Sequence, residues 1–111
     1  ALVLAKESES NIERSLGLLN RALALSPNNP EILDSLGDVL MMAKRPKDAI
    51  NKFELSIRFD PQRLGTRKKL LDAYQLNDMD DMAKALGKVI EKMERAQAEE
   101  EAKEKETSES N

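Results

Sequence analysis

The sequence predicts an all-α protein built as a solenoid of antiparallel helical hairpins, and three observations support this fold class. Apolar residues recur at helical spacing in several segments separated by turn residues. Small and apolar positions repeat every 34 residues, so that Leu2, Leu36 and Leu70 are equivalent. Two of the prolines that end these segments, Pro27 and Pro61, lie 34 residues apart as well. A repeat of this length with two helices in each unit is typical of stacked helical hairpins.

The N-terminal part is predicted to contain two helices. Residues 1–8 form the remnant of a first helix, which we expect to have lost its first turns because the chain begins without methionine. Residues 11–25 form a second helix with one apolar stripe: Ile12, Leu16, Leu19 and Leu23. The turn Ser26-Pro27-Asn28-Asn29 ends it.

Two helices that each begin with a proline follow. Asn29 is a good N-cap, Pro30 suits the first helical position, and this helix is predicted to reach about Ala43. Pro46 begins the next helix, over residues 46–59, because the first helical position needs no amide hydrogen. Asp60-Pro61 is then predicted to repeat the cap-and-proline arrangement.

The C-terminal part is predicted to form two more helices and a tail. Residues 64–76 form the fifth helix, and Asn77-Asp78 cap a sixth that extends to about residue 104. Residues 97–111 contain no large apolar side chain, and the last five are expected to be disordered. The predicted repeat domain therefore covers residues 1–97, in units of about 1–29, 30–63 and 64–97. A charged helical extension and a disordered tail follow over 98–111.

Composition argues against several classes of function. The chain has no cysteine and no histidine, so it lacks thiol nucleophiles, the common zinc ligands and the usual general base near neutral pH. A net charge of −3 offers no global attraction for nucleic acid, and no apolar run approaches the roughly 20 residues that a bilayer needs. We therefore expect no catalytic residue, cofactor, metal, nucleic-acid partner or membrane insertion. The sequence identifies no compartment, and a cytoplasmic location is only the default expectation.

Three charged clusters have ordinary explanations. Asn77-Asp78-Met79-Asp80-Asp81 lacks the glycine and distal glutamate of a calcium loop, and acidic residues at a helix start favour the helix dipole. Arg67-Lys68-Lys69 has no interleaved aromatic residue and is typical of a solvated face. Asp34 and Asp38 lie one helical turn apart, but a catalytic pair would need a pocket that shifts one pKa, so we interpret them as part of a binding surface.

The residues at the repeat positions resemble the tetratricopeptide repeat. The middle unit matches at Leu33, Leu36, Gly37, Leu40, Ala49, Phe53, Ser56 and Pro61. The third unit matches at Leu70, Tyr74, Ala83 and Ile90 and departs from the pattern at Leu71, Gly87 and Arg95, as an end unit does. The resemblance covers residues 1–97 and implies a right-handed solenoid of about two and a half to three repeats. We expect Gly37 and Ala49 to lie where the two helices of a hairpin cross, with Phe53 filling the space beside them.

The resemblance also implies a binding surface, because the first helix of each tetratricopeptide hairpin lines the concave face. The residues expected there are Glu31, Asp34, Asp38, Met41, Met42, Lys68, Asp72, Gln75 and Leu76. We expect a groove that is acidic in the middle unit and that takes a protein segment with basic and apolar residues. The carboxylate clamp of some family members does not fit, because it needs Asn at Ser35, Lys at Gly65 and Arg at Lys69, where only the charge survives.

Two functions follow from this fold. The first is a non-catalytic scaffold that binds a partner protein or peptide on the concave face. The second is self-association, either as a homo-oligomer or as part of a longer array, through apolar residues that an incomplete first helix would leave exposed: Leu2, Leu4, Leu16 and Leu19. An enzyme is not expected.

Overall fold

The structure, a computed structural model, describes the backbone of residues 2–109 and the side chains of residues 7–107. This part contains five α-helices and no strand: α1 Leu2–Leu25, α2 Pro30–Met42, α3 Pro46–Phe59, α4 Leu64–Leu76 and α5 Asp80–Glu109. Each helix packs against the next one along the chain, so α2–α3 and α4–α5 form two hairpins, and α1 packs against α2. None of the helices in the described part combines the length and hydropathy of a membrane span.

α1 is one continuous helix of 24 residues, and the predicted break after residue 8 was wrong. The repeat pattern implied a turn there, but residues 7–11 contain neither proline nor glycine to encode one. The apolar stripe of its second half is confirmed, since Leu16 is buried and Ile12, Leu19 and Leu23 pack against the core. The described residues therefore form two hairpins preceded by a single helix, and not three hairpins.

The start of α2 follows the predicted capping. The Asn29 side-chain oxygen accepts hydrogen bonds from the backbone amides of Glu31 at 3.0 Å and Ile32 at 3.3 Å, and Pro30 occupies the first turn. α3 also begins at its proline, as predicted, although no side chain caps it.

The two turns within the hairpins share one conformation. Among the described residues, Lys44 (φ 60°) and Asp78 (φ 55°) are the non-glycine residues with left-handed backbone, and they lie 34 residues apart. The amide after each of them donates a hydrogen bond of 2.9 Å back to a carbonyl five residues earlier, which is the Schellman ending of a helix. The predicted capping of the last helix by Asn77-Asp78 was therefore wrong: Asn77 is the C-cap of α4, and α5 begins at Asp80.

The turns between successive units also correspond. The amide of Asn29 donates to the Ser26 carbonyl at 3.2 Å, and the amide of Arg63 donates to the Asp60 carbonyl at 3.3 Å, 34 residues later. Pro61 lies inside the second turn, three residues before α4 begins. Asp60-Pro61 therefore forms a turn and does not cap α4, contrary to the prediction.

The core centres on the crossing of α2 and α3. Phe53 and Ala49 are completely buried, and a Cβ built on Gly37 would lie 2.6 Å from Phe53 Cδ1 and 2.7 Å from its Cζ. Real Cβ atoms do not approach that closely, so the crossing requires glycine, as the sequence predicted. The repeat positions that are buried with these are Leu36, Tyr74 and Ala83. The Ser56 hydroxyl, also buried, donates a 2.7 Å hydrogen bond to the Pro30 carbonyl and ties α3 to the start of α2.

α5 extends well past the body of the solenoid. Its 30 residues span about 45 Å at 1.5 Å per residue, which accounts for much of the 59 Å long axis. The helix was predicted to end near residue 104 but continues to Glu109, and residues 110–111 lie outside the described part. Glutamates placed four residues before lysines, at Glu99 and Lys103 and at Glu101 and Lys105, favour the longer helix.

Candidate functional site

The first helices of the two hairpins, α2 and α4, carry a set of polar and apolar residues that is called the A-face below. It consists of the residues predicted to bind a partner together with two cations, Arg63 and Lys69. Ion pairs connect α2 to α4 directly across this face. The consequence is that the side chains of the A-face belong to two repeat units held at a fixed spacing.

A cluster of four charges lies at the centre of the A-face. The Lys69 ammonium donates to Asp38 at 2.9 Å and to Asp34 at 3.2 Å, and the Arg63 guanidinium donates to Asp34 at 3.3 Å. The Asp34 side chain is only 14% exposed, whereas that of Asp38 is 43% exposed. The expected acidic groove in the middle unit is thus corrected, because Lys69 of α4 and Arg63 just before α4 form ion pairs with these carboxylates.

The position of Lys69 beside two aspartates shifts its pKa. Partial burial of the ammonium acts to lower its pKa, but hydrogen bonds and charge attraction from Asp38 and Asp34 outweigh it and raise the pKa of Lys69 above its ordinary 10.5. The amine therefore stays charged at all pH values near neutrality.

The turn before α4 positions Arg63 for its contact with Asp34. Arg63 ends the turn that begins at Asp60 and immediately precedes α4. Its Nε donates to the hydroxyl of Thr66 at 3.1 Å, and Thr66 is buried in the first turn of α4. Because this bond holds one side of the guanidinium, its terminal nitrogen points back to Asp34 on the preceding hairpin.

The remaining predicted residues are more accessible. Met42 is 64% exposed and Leu76 is 68% exposed, while Met41 is half-buried against the core. Lys68 lies 3.5 Å from Glu94 of α5, with both side chains about half exposed. The other three, Glu31, Asp72 and Gln75, are exposed. Their assignment to partner binding stays a prediction.

Sequence reasoning missed the cluster itself. It named Asp34 and Asp38 without their partners, and it treated Lys69 as part of a solvated basic run and as the remnant of a clamp. The 34-residue repeat carried a usable signal, because Lys69 is equivalent to Ser35, the neighbour of Asp34, on the next helix. Arg63 carried no such signal, since its contact depends on the turn before α4. Two carboxylates of the chain bind the Lys69 ammonium, which lies at the position where the clamp would need an arginine.

No cluster on the described side chains resembles a metal site. The acidic residues near the start of α5 do not converge with others into a group of three or more possible ligands. Asp80 and Asp81 lie in the first turn of α5, where the positive end of the helix dipole favours them.

Two solved structures share this architecture. A MamA fragment, "41-end", from Desulfovibrio magneticus RS-1 superposes on 86% of the chain with a TM-score of 0.75 and 19% identity. A second MamA crystal structure covers 87% of the chain with a TM-score of 0.72 and 23% identity. The fold is a tetratricopeptide-like helical solenoid. The predicted all-α solenoid class is thereby confirmed, and at these identities the likeness shows the fold alone. The chain spans about half of each solved structure, 53% and 54%.

Comparison of the sequence with known proteins supports no assignment of a family. No protein-family model matches the chain. Among curated proteins, the protein adenylyltransferase fic-1 of Caenorhabditis briggsae is 32% identical over 53 residues, which are 48% of this chain and 10% of that enzyme. The chain thus spans about a tenth of the length of this relative. The match does not assign the enzyme's activity to the chain.

Proposed function

We propose that this chain is a non-catalytic protein-interaction scaffold that binds a segment of a partner protein on the A-face. The observation that carries the proposal is a pair of side chains present on both helices. An aspartate is followed one turn later by an exposed large apolar residue: Asp38 and Met42 on α2, Asp72 and Leu76 on α4. The two pairs lie 34 residues apart. Covering both apolar side chains with a partner removes apolar surface from water at equivalent positions of two units.

The charges of the A-face favour a basic partner segment. Its cations are engaged internally, Arg63 and Lys69 with the Asp34–Asp38 pair and Lys68 with Glu94. Among the described side chains, Glu31 and Asp72 make no ion pair. A segment with Lys or Arg beside its apolar residues complements these carboxylates, whereas an acidic segment meets like charge.

The core supports such binding by holding the A-face rigid. The close contact of Gly37 with Phe53 fixes α2 on α3, and the Lys69 cluster fixes α4 relative to α2. A surface that is ordered before binding loses little conformational entropy when a segment docks across it. Similarity of fold to the MamA structures is consistent with an interaction or assembly role and names no partner.

Peptide selection followed by mapping tests the proposal. Peptides would be selected from an unbiased random library, and their sites located from amide chemical shifts of the ¹⁵N-labelled protein. We expect the largest shifts in the last turns of α2 and α4, and a loss of affinity on the order of tenfold or more in the double variant Met42→Ser with Leu76→Ser.

The matched control uses two exposed apolar residues outside the A-face. Leu18→Ser with Leu25→Ser alters residues that are 58% and 89% exposed, both on α1. This control should bind the selected peptides normally. Shifts confined to α1, or equal losses in both double variants, would contradict binding at the A-face. Reversing the charges of Asp34 and Asp38 is a poorer test, because it also breaks the central cluster.

Self-association is the second candidate, and the observation that favours it is the partial exposure of Leu19 on α1. Two of the four residues expected to be exposed are not: Leu16 is buried and Leu19 is half-buried. The side chains of the other two, Leu2 and Leu4, lie outside the described residues. Leu19 is nevertheless less covered than its equivalent in α3, Phe53, which is completely buried. Sedimentation velocity over a wide concentration range separates the two candidates, since a species that stays monomeric throughout removes the second.

Catalysis by this chain is not part of the proposal. The chain has no cysteine and no histidine, so acid–base chemistry would have to come from a carboxylate pair such as Asp34 and Asp38. Lys69 already binds both of these side chains. The similarity to fic-1 covers a tenth of that enzyme and does not assign its activity to this chain. Substrate turnover that disappears in Asp34→Asn with Asp38→Asn, while the fold is retained, would show that this reasoning is wrong.

A further inference from the structure

A cleft of about 290 Å³ opens between α1 and α3, beside the C-terminal half of α2, and is called the α1–α3 cleft below. Its floor is apolar and consists of leucines that are at most 8% exposed: Leu16, Leu36 and Leu40. Its rim is polar and is formed by side chains from α1, α3 and the turn before α3: Asn20, Arg45, Asp48, Asn51 and Lys52. An apolar floor with a few polar groups at the opening is typical of a binding site.

The α1–α3 cleft lies apart from the A-face. Leu40 is two residues from both Asp38 and Met42 on α2, which is about 200° around a helix of roughly 3.6 residues per turn. Its side chain therefore leaves α2 on the side opposite to these two A-face residues. A group in the cleft and a segment on the A-face would contact different sides of the same helix.

The next junction of helices, 34 residues later, shows what such a space accommodates. Tyr74 stands at the position equivalent to Leu40, and its aromatic side chain is buried between α3 and α5 at 4% exposure. Two rim positions that are charged at the first junction hold apolar residues of the core at the second: Met79 and Leu86. The smaller residue 40 and its charged neighbours thus leave open, between α1 and α3, a space where the chain itself places an aromatic ring at the next junction.

The rim has unequal charges. The Arg45 guanidinium donates to the Asp48 carboxylate at 2.9 Å through Nε and lies 2.8 Å from it through a terminal nitrogen, so these two charges cancel. Lys52 makes no ion pair among the described side chains, which leaves the rim one positive charge. The exposed side chains of Asn20 on α1 and Asn51 on α3 each add an amide donor and acceptor.

We propose that the α1–α3 cleft binds the phenylalanine side chain of a partner segment that carries acidic residues beside it. A side chain that enters from solvent places its tip on the leucine floor, so the tip has to be apolar, and tyrosine would bury its hydroxyl there without a partner. The volume suits one ring, since a cavity of about 150 Å³ holds benzene and sites for drug-sized ligands begin at roughly 300 Å³.

The rim supplies the rest of the recognition. The amides of Asn20 and Asn51 lie where the backbone of the segment would pass, on either side of the inserted phenylalanine, and can bond its N–H and C=O groups. The free charge of Lys52 complements a neighbouring glutamate or aspartate, whereas a basic segment meets like charge. This preference is the reverse of that proposed for the A-face, and the two sites are independent.

Titration with short peptides tests the proposal. Three end-blocked pentapeptides, with phenylalanine, tyrosine or alanine between two glutamates on each side, would be added to the ¹⁵N-labelled full chain. We expect the phenylalanine peptide to shift the amides of residues 16–20 and 48–52 and the side-chain amides of Asn20 and Asn51. Its affinity should exceed that of the alanine peptide by about tenfold and that of the tyrosine peptide by about threefold. Equal affinities for the three peptides, or shifts confined to other residues, would overturn the proposal.

Filling the cleft from within provides the second readout. Leu40→Tyr gives the first junction the aromatic residue that the second already has, and its ring should occupy the cleft as Tyr74 occupies the equivalent space. The phenylalanine peptide should then bind this variant at least about tenfold more weakly. Urea denaturation would establish that the variant folds. A folded Leu40→Tyr protein with wild-type affinity would show that the peptide does not use the cleft.

Reversing the free rim charge gives a test that leaves the core unchanged. Lys52→Glu should weaken the glutamate-flanked phenylalanine peptide about threefold or more in about 0.15 M salt, where distant exposed charges are largely screened. Lys47→Glu makes the same change in net charge at an exposed residue of α3 outside the cleft and should leave the affinity unchanged. The A-face variant Met42→Ser with Leu76→Ser should also bind this peptide normally. Equal losses in both lysine variants, or loss of binding in the A-face variant, would overturn the assignment to the cleft.

Discussion

The Lys69 ammonium of α4 lies 2.9 Å from the Asp38 carboxylate of α2, across 31 residues of sequence. This contact joins the first helices of consecutive hairpins, both of which also pack against α3. It also engages internally one of the three cations of the A-face, the others being Arg63 and Lys68. The same ion pair therefore contributes to the spacing of the repeat units, and under the proposed binding at the A-face it leaves Lys69 unavailable to an acidic partner.

The first prediction compares two adjacent lysines. Lys69→Met removes the hydrogen bonds to both aspartates and leaves Asp34 with Arg63 alone, so we expect the free energy of unfolding to fall by about 1 kcal/mol. Lys68→Met removes only a 3.5 Å contact between half-exposed side chains and should have little effect. Urea denaturation of the three proteins measures the difference. Equal losses in both variants would mean that the cluster contributes nothing specific.

The second prediction concerns alkaline pH. The pKa of Lys69 is raised above 10.5 by its aspartate partners despite partial burial, and burial together with the charge of Glu54 raises the pKa of Tyr74 above 10.0. Both groups hold their protons more tightly when folded, so the stability they contribute is fully present below the unfolded pKa values. It is lost as the pH rises through the folded ones. Urea midpoints should therefore decline above about pH 10.

A double variant isolates these two groups. Lys69→Met with Tyr74→Phe removes both titrations, and its urea midpoint should change less between about pH 9 and pH 11 than that of the wild type. Lys68→Met serves as the control and should retain the wild-type slope, because the contact of Lys68 is exposed. An identical decline in the double variant would assign the alkaline loss to other groups.

The third prediction tests the crossing of α2 and α3. A methyl group at Gly37 meets the Phe53 ring at less than 3 Å, so Gly37→Ala should destabilise the fold by about 1–3 kcal/mol through overpacking. Gly87→Ala is the matched control, since that helical glycine has no atom within 4 Å of the added carbon and should gain about 0.5–1 kcal/mol. Thermal unfolding of both variants gives the comparison.

A compensating change sharpens that test. Phe53→Leu makes room beside residue 37 while opening a cavity, so each single variant should be less stable than the wild type. If the two positions touch as described, adding Gly37→Ala to Phe53→Leu should cost less than adding it to the wild type. Strict additivity of the two changes in free energy would place the clash elsewhere.

Local sequence determined most helix boundaries. The prolines and the Asn29 cap placed α2 and α3 within a residue, and the apolar pattern placed α4 at residues 64–76, as observed. The repeat also identified Gly37 as the position without room for a side chain. The predicted break after residue 8 was wrong, because it was inferred from the repeat and not from local sequence. Residues 7–11 contain no proline or glycine, and α1 continues through them.

The central cluster of the A-face required knowledge of how helices meet. Asp34 and Lys69 are 35 residues apart, and their contact depends on how α4 is placed beside α2. A 34-residue period brings equivalent positions close together but does not specify which of several neighbouring side chains touch. The exposure of Met42 and Leu76 likewise follows from packing, because both look like ordinary apolar helix residues in the sequence.

The last prediction concerns the left-handed residue in each hairpin turn. A side chain in this conformation costs roughly 1–2 kcal/mol, which glycine avoids, although glycine loses more entropy on folding. Lys44→Gly should therefore stabilise the fold by about 0.5–1 kcal/mol, and Lys44→Ala, which keeps the strain, should not. Asp78→Gly should gain less, because aspartate tolerates this conformation better and its charge lies just before the positive end of α5. Urea denaturation of the three variants measures these changes in stability. An equal gain from alanine and glycine at residue 44 would show that the gain comes from removing the lysine side chain and not from relieving backbone strain.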